Sequence, residues 1–355
     1  MFDKLLKYFC TSSIKRSKGY CNIGRLNVAV NKLKKYQKKV KGVKNRSDVK
    51  IIYNIQPYEY YIEQNVDYLI GLVKKCFYDN DYSIKIGVEI EFYLTKSKAM
   101  EENFFYDRVI NFTEANNIDI LGIEKERGIG QFEIQLKPYG DIDKLVTDYN
   151  KLKSFLIDDF NANFDDMPFM NDAGSSLQIN ISLFDKNNNN LFAKDGDCES
   201  DILRSAVAGL MKTTNMFLSF YLAKNKSMIR YNRIINNNLY NSGKIPAPTC
   251  INWGINNRTC SIRIPVAKNF GDVDKYISES KNNRRIEFRV PSSDSDIKLV
   301  LYCVLNSIMF GIKNNLVPME PTYNNALLDH DKYEKIQIKQ YKFSSYYKIL
   351  KTILN

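Results

Sequence analysis

Residues 84–94 read IKIGVEIEFYL, an apolar run interrupted by two carboxylates, Glu89 and Glu91. This spacing constrains the fold more than any other feature of the chain. Side chains on a strand alternate between faces, so acids two residues apart project from the same face. Taken alone, such a pair is an ordinary exposed polar edge. Embedded in apolar sequence it needs a partner, and a metal cation is a good one.

Two further segments extend the pattern. EKERGIGQFEIQL carries Glu124 and Glu126 before a glycine turn and Glu133 on the returning strand, and the turn predicts that Glu126 and Glu133 lie close together. RRIEFRVP sets Arg285, Glu287 and Arg289 at alternate positions of one strand. A plus, minus, plus row suits a site where guanidinium groups flank a metal-bound carboxylate and grip anionic substrates. NNRTCSIRIP adds Arg258 and Arg263. NDAGSSLQINISLFD turns on small residues around Gly174 into a strand with Gln178, Asn180 and Ser182 at period two.

Apolar periodicity predicts helices over 60–78, 104–116, 141–160, 202–221 and 297–312. Strands are predicted over 84–94, within 118–136, and over 176–183, 258–266 and 284–290. The strands and helices do not alternate regularly, which predicts an α+β fold with a mainly antiparallel sheet. The chain of 355 residues is 44% hydrophobic, enough for a packed core, and contains no apolar run long enough to span a bilayer. The formal net charge of +12 resides in residues 1–50, with fifteen Lys or Arg against two acids. Such a segment reads as a solvated Lys-rich extension, or as a contact for nucleic acid or an anionic membrane. Seven widely spaced cysteines without a C-x-x-C pair indicate a reducing, cytoplasmic compartment. The single histidine, His330, reads as a surface residue, and its solitude excludes any site needing two imidazoles.

Five of these segments, in order, resemble the catalytic domain of glutamine synthetase and its glutamate–amine ligase relatives. GVEIEF resembles the family's G-x-E-x-E-F strand, and ERGIGQFEI its E-x-G-P-G-Q-x-E motif. GSSLQINIS is similar to the histidine-bearing G-S-[GS]-x-H-x-H-x-S segment. APTCINWGINNRTCSIRIP and RRIEFRVP resemble the family's two arginine-rich motifs. The likeness runs from about Tyr60 to Pro291, so the domain is expected over 60–355. Residues 1–59 form a basic extension with no recognisable β-grasp pattern.

The resemblance implies a glutamine synthetase-like fold, with a curved sheet lining the site and helices outside. It implies ATP-dependent amide formation through a γ-glutamyl phosphate-type intermediate, with Mg²⁺ or Mn²⁺. By the same resemblance, Glu91, Glu126 and Glu133 hold the metal nearer the amino-acid substrate. Glu89 and Glu287 hold the metal that bridges the ATP phosphates, with Gln178 as third ligand. Arg230 and Arg289 bind substrate carboxylates, and Gly174 presents its backbone to glutamate. Arg258 and Arg285 act on the transferring phosphoryl group, with Asn180 donating a hydrogen bond. Ser182, Arg263 and Arg285 contact ATP. The implied partners are a glutamate-like carboxylate, an amine, and a second copy of the chain in a homo-oligomer. Departures are explicit: Gln178 and Asn180 replace the two family histidines, Met167 replaces a lysine, and Pro246 replaces the flap glutamate that takes a proton from ammonium. The last change points to an amine other than ammonia. The alternative is a protein that keeps the fold and binds a nucleotide or a partner in a regulatory role without turnover.

Overall fold

The alternation of 84–94 continues across the whole central sheet. The computed structural model describes residues 57–354 apart from 95–101, 195–197, 224, 267–280, 282, 340 and 342. The basic extension expected over 1–59 therefore lies outside the described residues up to position 56. Tyr58–Asn355 forms one compact unit.

In chain order this unit contains α1 (Pro57–Asp79), β1 (Ser83–Tyr93), α2 (Glu102–Ala115), β2 (Ile120–Lys125), β3 (Gln131–Tyr139), α3 (Ile142–Phe160) and β4 (Leu177–Phe184). There follow α4 (Asp201–Thr213), α5 (Leu218–Tyr221), α6 (Arg233–Asn241), β5 (Cys250–Ile251), β6 (Trp253–Ile255), β7 (Ile262–Ile264) and β8 (Ile286–Phe288). The last elements are α7 (Ile297–Lys313), β9 (Glu334–Lys335) and α8 (Phe343–Leu354). Seven strands make one sheet in the order β2-β3-β1-β4-β8-β7-β6. Every pair is antiparallel except β6 with β7. The α+β class with a mainly antiparallel sheet is thus observed.

One face of this sheet is apolar. Ile86, Val88, Ile90 and Phe92 of β1 alternate with its acids, and Ile134, Leu136, Leu177, Ile179, Ile181, Ile262, Ile286 and Phe288 continue the surface, all buried. Phe105 of α2 lies at the centre of an aromatic cluster there. Its ring sits 6.2 Å from Phe92, 4.8 Å from Phe132 and 5.0 Å from Phe160 at the end of α3. On the far side Tyr221 meets Phe288 edge-on at 5.2 Å. The helices stop where local chemistry stops them. Asp141 accepts from the amides of Asp143 and Lys144 at the start of α3, and Asn161 closes it in the left-handed region at φ 53°.

Three expectations are corrected. The helix expected over 202–221 is two helices with a turn between. Buried Asn215 in that turn donates to the Lys335 carbonyl at 2.9 Å and accepts from the Gln337 amide at 3.0 Å, so its side chain serves the β9 segment. The strands expected over 258–266 and 284–290 shrink to three residues each. Asn257 is one reason, because its side-chain oxygen accepts from the amide and hydroxyl of Thr259 and bends the chain before β7. His330 is buried, and burial pushes its pKa down. Among the described residues no helix is long and apolar enough to cross a membrane. Phe105→Ala removes the hub of the aromatic cluster and is expected to lower the unfolding free energy by about 3–5 kcal/mol in urea titration.

Candidate active site

The opposite face of the same sheet carries the polar positions, and strand register decides which of them meet. Glu124 of β2 faces Glu133 of β3, which faces Glu91 of β1. In the next row Gln135 faces Glu89, which faces Gln178 of β4. The third row runs from Asn180 of β4 to Glu287 of β8 and on to Arg263 of β7. Residues directly opposite in an antiparallel ladder point to the same side, so these side chains share one surface.

Glu126 reaches this surface from the loop 126–130. A Cβ on Gly128 would stand 2.0 Å from the Tyr93 hydroxyl, so only glycine lets the loop lie against that ring. The Tyr93 hydroxyl donates to the Ala173 carbonyl at 2.6 Å. The Gln131 side chain accepts from the Gly128 amide at 3.1 Å and donates to the Gly174 carbonyl at 3.1 Å. Gly174 itself passes close to the Arg230 stem, where a Cβ would meet Cγ at 3.3 Å. The result is an open cleft lined by Glu91, Glu126, Arg230, Arg258, Arg289, Gln178, Gly174 and Pro246 among others.

Four carboxylates on this face are held by partners. Glu91 accepts from the Ser176 amide at 2.7 Å and from Gln178 Nε2 at 2.5 Å. Glu89 accepts from Asn180 Nδ2 at 2.9 Å, and Asn180 Oδ1 accepts from Arg285 Nε at 2.9 Å. Asn180 therefore relays Arg285 to Glu89. Glu133 accepts from Gln135 at 2.7 Å. Glu287 pairs with Arg263 at 2.8 Å and Arg289 at 3.4 Å. Buried Arg230 spends its terminal nitrogens on the carbonyls of Val290 and Arg289, at 2.9 and 3.1 Å. Arg289 also donates to the carbonyl of Arg258. Ser182, at the outer end of β4, donates to the Arg284 carbonyl at 3.0 Å.

Three of the acids, Glu89, Glu91 and Glu133, resist ionisation. Burial, followed by repulsion from Glu287, raises Glu89 to about 7. Burial, then Glu89 and Glu91, raises Glu133 to about 10. Glu91 is raised by burial and by Glu126. Five buried or half-buried carboxylates that repel one another offer oxygen atoms only, the donor type a hard divalent cation takes. Among the described residues no three acidic, histidine or cysteine side chains stand gathered around one point. The acids are instead tied to amides and guanidiniums, as just described.

The model of the glutamine synthetase catalytic domain matches residues 100–342. This chain belongs to that family. A glutamine synthetase of Clostridium saccharobutylicum is 30% identical over 268 residues, covering 67% of this chain and 54% of the relative. The gamma-glutamylputrescine synthetase PuuA of Escherichia coli is 26% identical over 276 residues, covering 68% and 54%. The chain thus spans about half the length of the curated relatives it matches. The solved structure of apo GmaS without ligand superposes with a TM-score of 0.60 at 18% identity, covering 81% of this chain and 68% of that one. The fold is glutamine synthetase-like. The family match begins after β1, and strand register sets Glu89 and Glu91 of β1 opposite Gln135, Glu133 and Gln178 of the matched segment.

The structure brings together Glu89, Glu91, Glu133, Glu287, Gln178, Asn180, Arg263, Arg285 and Arg289 on the sheet face, with Glu126, Arg230, Arg258 and Gly174 around the cleft. Ser182 stands apart from the cleft with its hydroxyl committed to backbone. Sequence reasoning overlooked Tyr93, Gln131 and the Ser176 amide as the groups that seat Glu126 and Glu91. Gln131 stands inside the quoted GQFE segment, so its position carried a signal.

The raised acids make a testable demand. Folded Glu89 and Glu133 bind protons more tightly than the unfolded chain, where glutamate titrates at about 4.3. Stability of the metal-free protein must then fall as pH rises from about 5 toward 8 and beyond. Thermal melts should show this decline, and Glu133→Gln should flatten it and raise the melting temperature at pH 8.

Proposed function

We propose that this chain is an ATP-dependent carboxylate–amine ligase acting on a glutamate-like acid and an amine, with Mg²⁺ or Mn²⁺. One observation carries the reading: Glu89, Glu91, Glu126, Glu133 and Glu287 border one surface together with Arg230, Arg263, Arg285 and Arg289. Triphosphate and carboxylate are both anionic, and only a surface that offers cations to each can bring them together.

In this reading Glu91, Glu126 and Glu133 would hold one cation on the side of Arg230. Glu89 and Glu287, with the Gln178 amide oxygen, would hold a second on the side of Arg263 and Arg285. Cations held there would neutralise and polarise phosphate oxygens. Arg230 and Arg289 bind the carboxylates of the acid, and the Gly174 backbone borders it. The acid's carboxylate attacks the γ-phosphorus and ADP leaves. Arg258 and Arg285 face the negative charge that grows on the transferring group, and Asn180 donates a hydrogen bond there. Arg263 and Ser182 belong to the nucleotide side. The amine nitrogen then displaces phosphate and loses a proton, giving an amide and inorganic phosphate. Ile245, Pro246 and Ala247 line the cleft with apolar atoms and no carboxylate, which suits an alkyl amine better than ammonium. Family membership supports a homo-oligomer, which sedimentation measures.

A second reading, nucleotide binding without turnover, is favoured by the amides of Gln178 and Asn180, which are held by Glu91 and Glu89. Phosphate release from ATP separates the two. With glutamate, Mg²⁺ or Mn²⁺, and a panel of ammonia, isopropylamine and putrescine, the ligase reading expects amine-dependent release. Silence across the panel, with nucleotide binding intact by calorimetry, leaves the second. Arg285→Ala should lower kcat by roughly 10²–10³-fold, the scale of losing one preorganised charge-stabilising group.

A further inference from the structure

The two walls of the cleft mouth meet at one side chain. One wall is the loop 126–130 that carries Glu126. The other is the strap 244–247, whose Ile245, Pro246 and Ala247 line the cleft. Asp172 is buried between them, 7% exposed. Its Oδ2 accepts from the Ile129 amide at 2.9 Å, in the Glu126 loop. Its Oδ1 accepts from Lys244 Nζ at 2.6 Å, at the head of the strap, and from the Ala173 amide at 2.8 Å. Lys244 Nζ also donates to the Asn171 carbonyl at 3.2 Å.

The strap is pinned at its far end as well. The Ala247 amide donates to Asn236 Oδ1 at 2.7 Å, and Asn236 Nδ2 donates to the Arg230 carbonyl at 2.7 Å. Asn236 is fully buried in α6. Pro246 has no amide hydrogen, so it adds no tie of its own. The chain reaches Lys244 through Gly243, which sits in the left-handed region at φ 79°. Lys244 then donates its own amide to the Leu239 carbonyl at 3.0 Å, while its side chain reaches Asp172.

We infer that Asp172 and Lys244 are a positioning pair that couples the Glu126 loop to the strap and so sets the width of the cleft mouth. The inference rests on the ligase reading only for its kinetic consequence. Two isolated loops would need separate supports. Here a single carboxylate holds both through charge-assisted and backbone hydrogen bonds, and it is shielded from solvent, where such bonds are strongest. Losing the lysine frees the strap head and removes the cation that fixes the Asp172 rotamer. The Ile129 amide then loses its acceptor geometry, and the Glu126 loop loosens with the strap.

The test compares wild type with Lys244→Met, Lys244→Arg and Asp172→Asn. Lys244 is partly exposed, so its replacement leaves the core intact, and melting curves verify this for each variant. Hydrogen exchange reads the coupling directly. Amides in both 127–131 and 244–248 should exchange roughly tenfold faster in Lys244→Met and Asp172→Asn, with the sheet unchanged, and Lys244→Arg should restore protection. Kinetics with ATP, Mg²⁺, glutamate and isopropylamine should show a substrate KM raised about tenfold or more with kcat little changed, the pattern of lost positioning. Loosening confined to the strap, with 127–131 unaffected by Lys244→Met, overturns the inference. So does a kinetic defect in Lys244→Met that Lys244→Arg fails to rescue. If the wild-type chain turns over no amine, the ligase reading fails, and the exchange result alone decides the pair.

Discussion

Like charges placed on a buried sheet face repel one another, and everything around this site answers that repulsion. Glu89, Glu91 and Glu133 stand on neighbouring strands in successive rows, and their pKa values rise because neither burial nor their neighbours favour ionisation. The protein compensates with guanidiniums at Arg263 and Arg289 and with amides at Ser176, Gln178, Asn180 and Gln135. A surface assembled this way costs stability for as long as its acids are charged and nothing neutralises them.

The sheet keeps this cost separate from the fold. Period-two alternation assigns Ile86, Val88, Ile90 and Phe92 to one side and the acids to the other. The apolar side packs on Phe105, Phe160 and Tyr221. The polar side is free to be unfavourable. The arginines serve both sides of this division. Arg230 binds the carbonyls that follow β8 while bordering the cleft, and Arg289 ties the Arg258 carbonyl while facing Glu287. Losing either would loosen the wall as well as remove a charge.

Asn180 and Gln178 show how the site accommodates its departures from the family pattern. Each stands where the family motif that GSSLQINIS resembles has histidine, and each forms a bridge. Asn180 links Arg285 to Glu89, and Gln178 links Arg289 to Glu91, the latter with a long 3.4 Å arm. A neutral amide can accept from a guanidinium and donate to a carboxylate at once, so it completes a chain of alternating charge that an uncharged apolar residue would break.

Local rules were sufficient wherever the physics was local. The spacing of Glu89, Glu91, Arg285, Glu287 and Arg289 determined which face each would share, because a strand has no other periodicity. Asp141 and the glycines at 128 and 130 marked a helix start and a turn for equally local reasons. The α+β class followed from the succession of such elements. Tertiary structure decided the rest. The break at Asn215, the short β7 and β8, and the burial of His330 depend on partners far along the chain, as Asn215 does on Lys335 and Gln337. The register that sets Glu133 beside Glu91, and the placement of Asp172 between two distant loops, are likewise invisible to spacing. Periodicity says which side of a strand a residue occupies; only the pairing of strands and loops says whom it meets there.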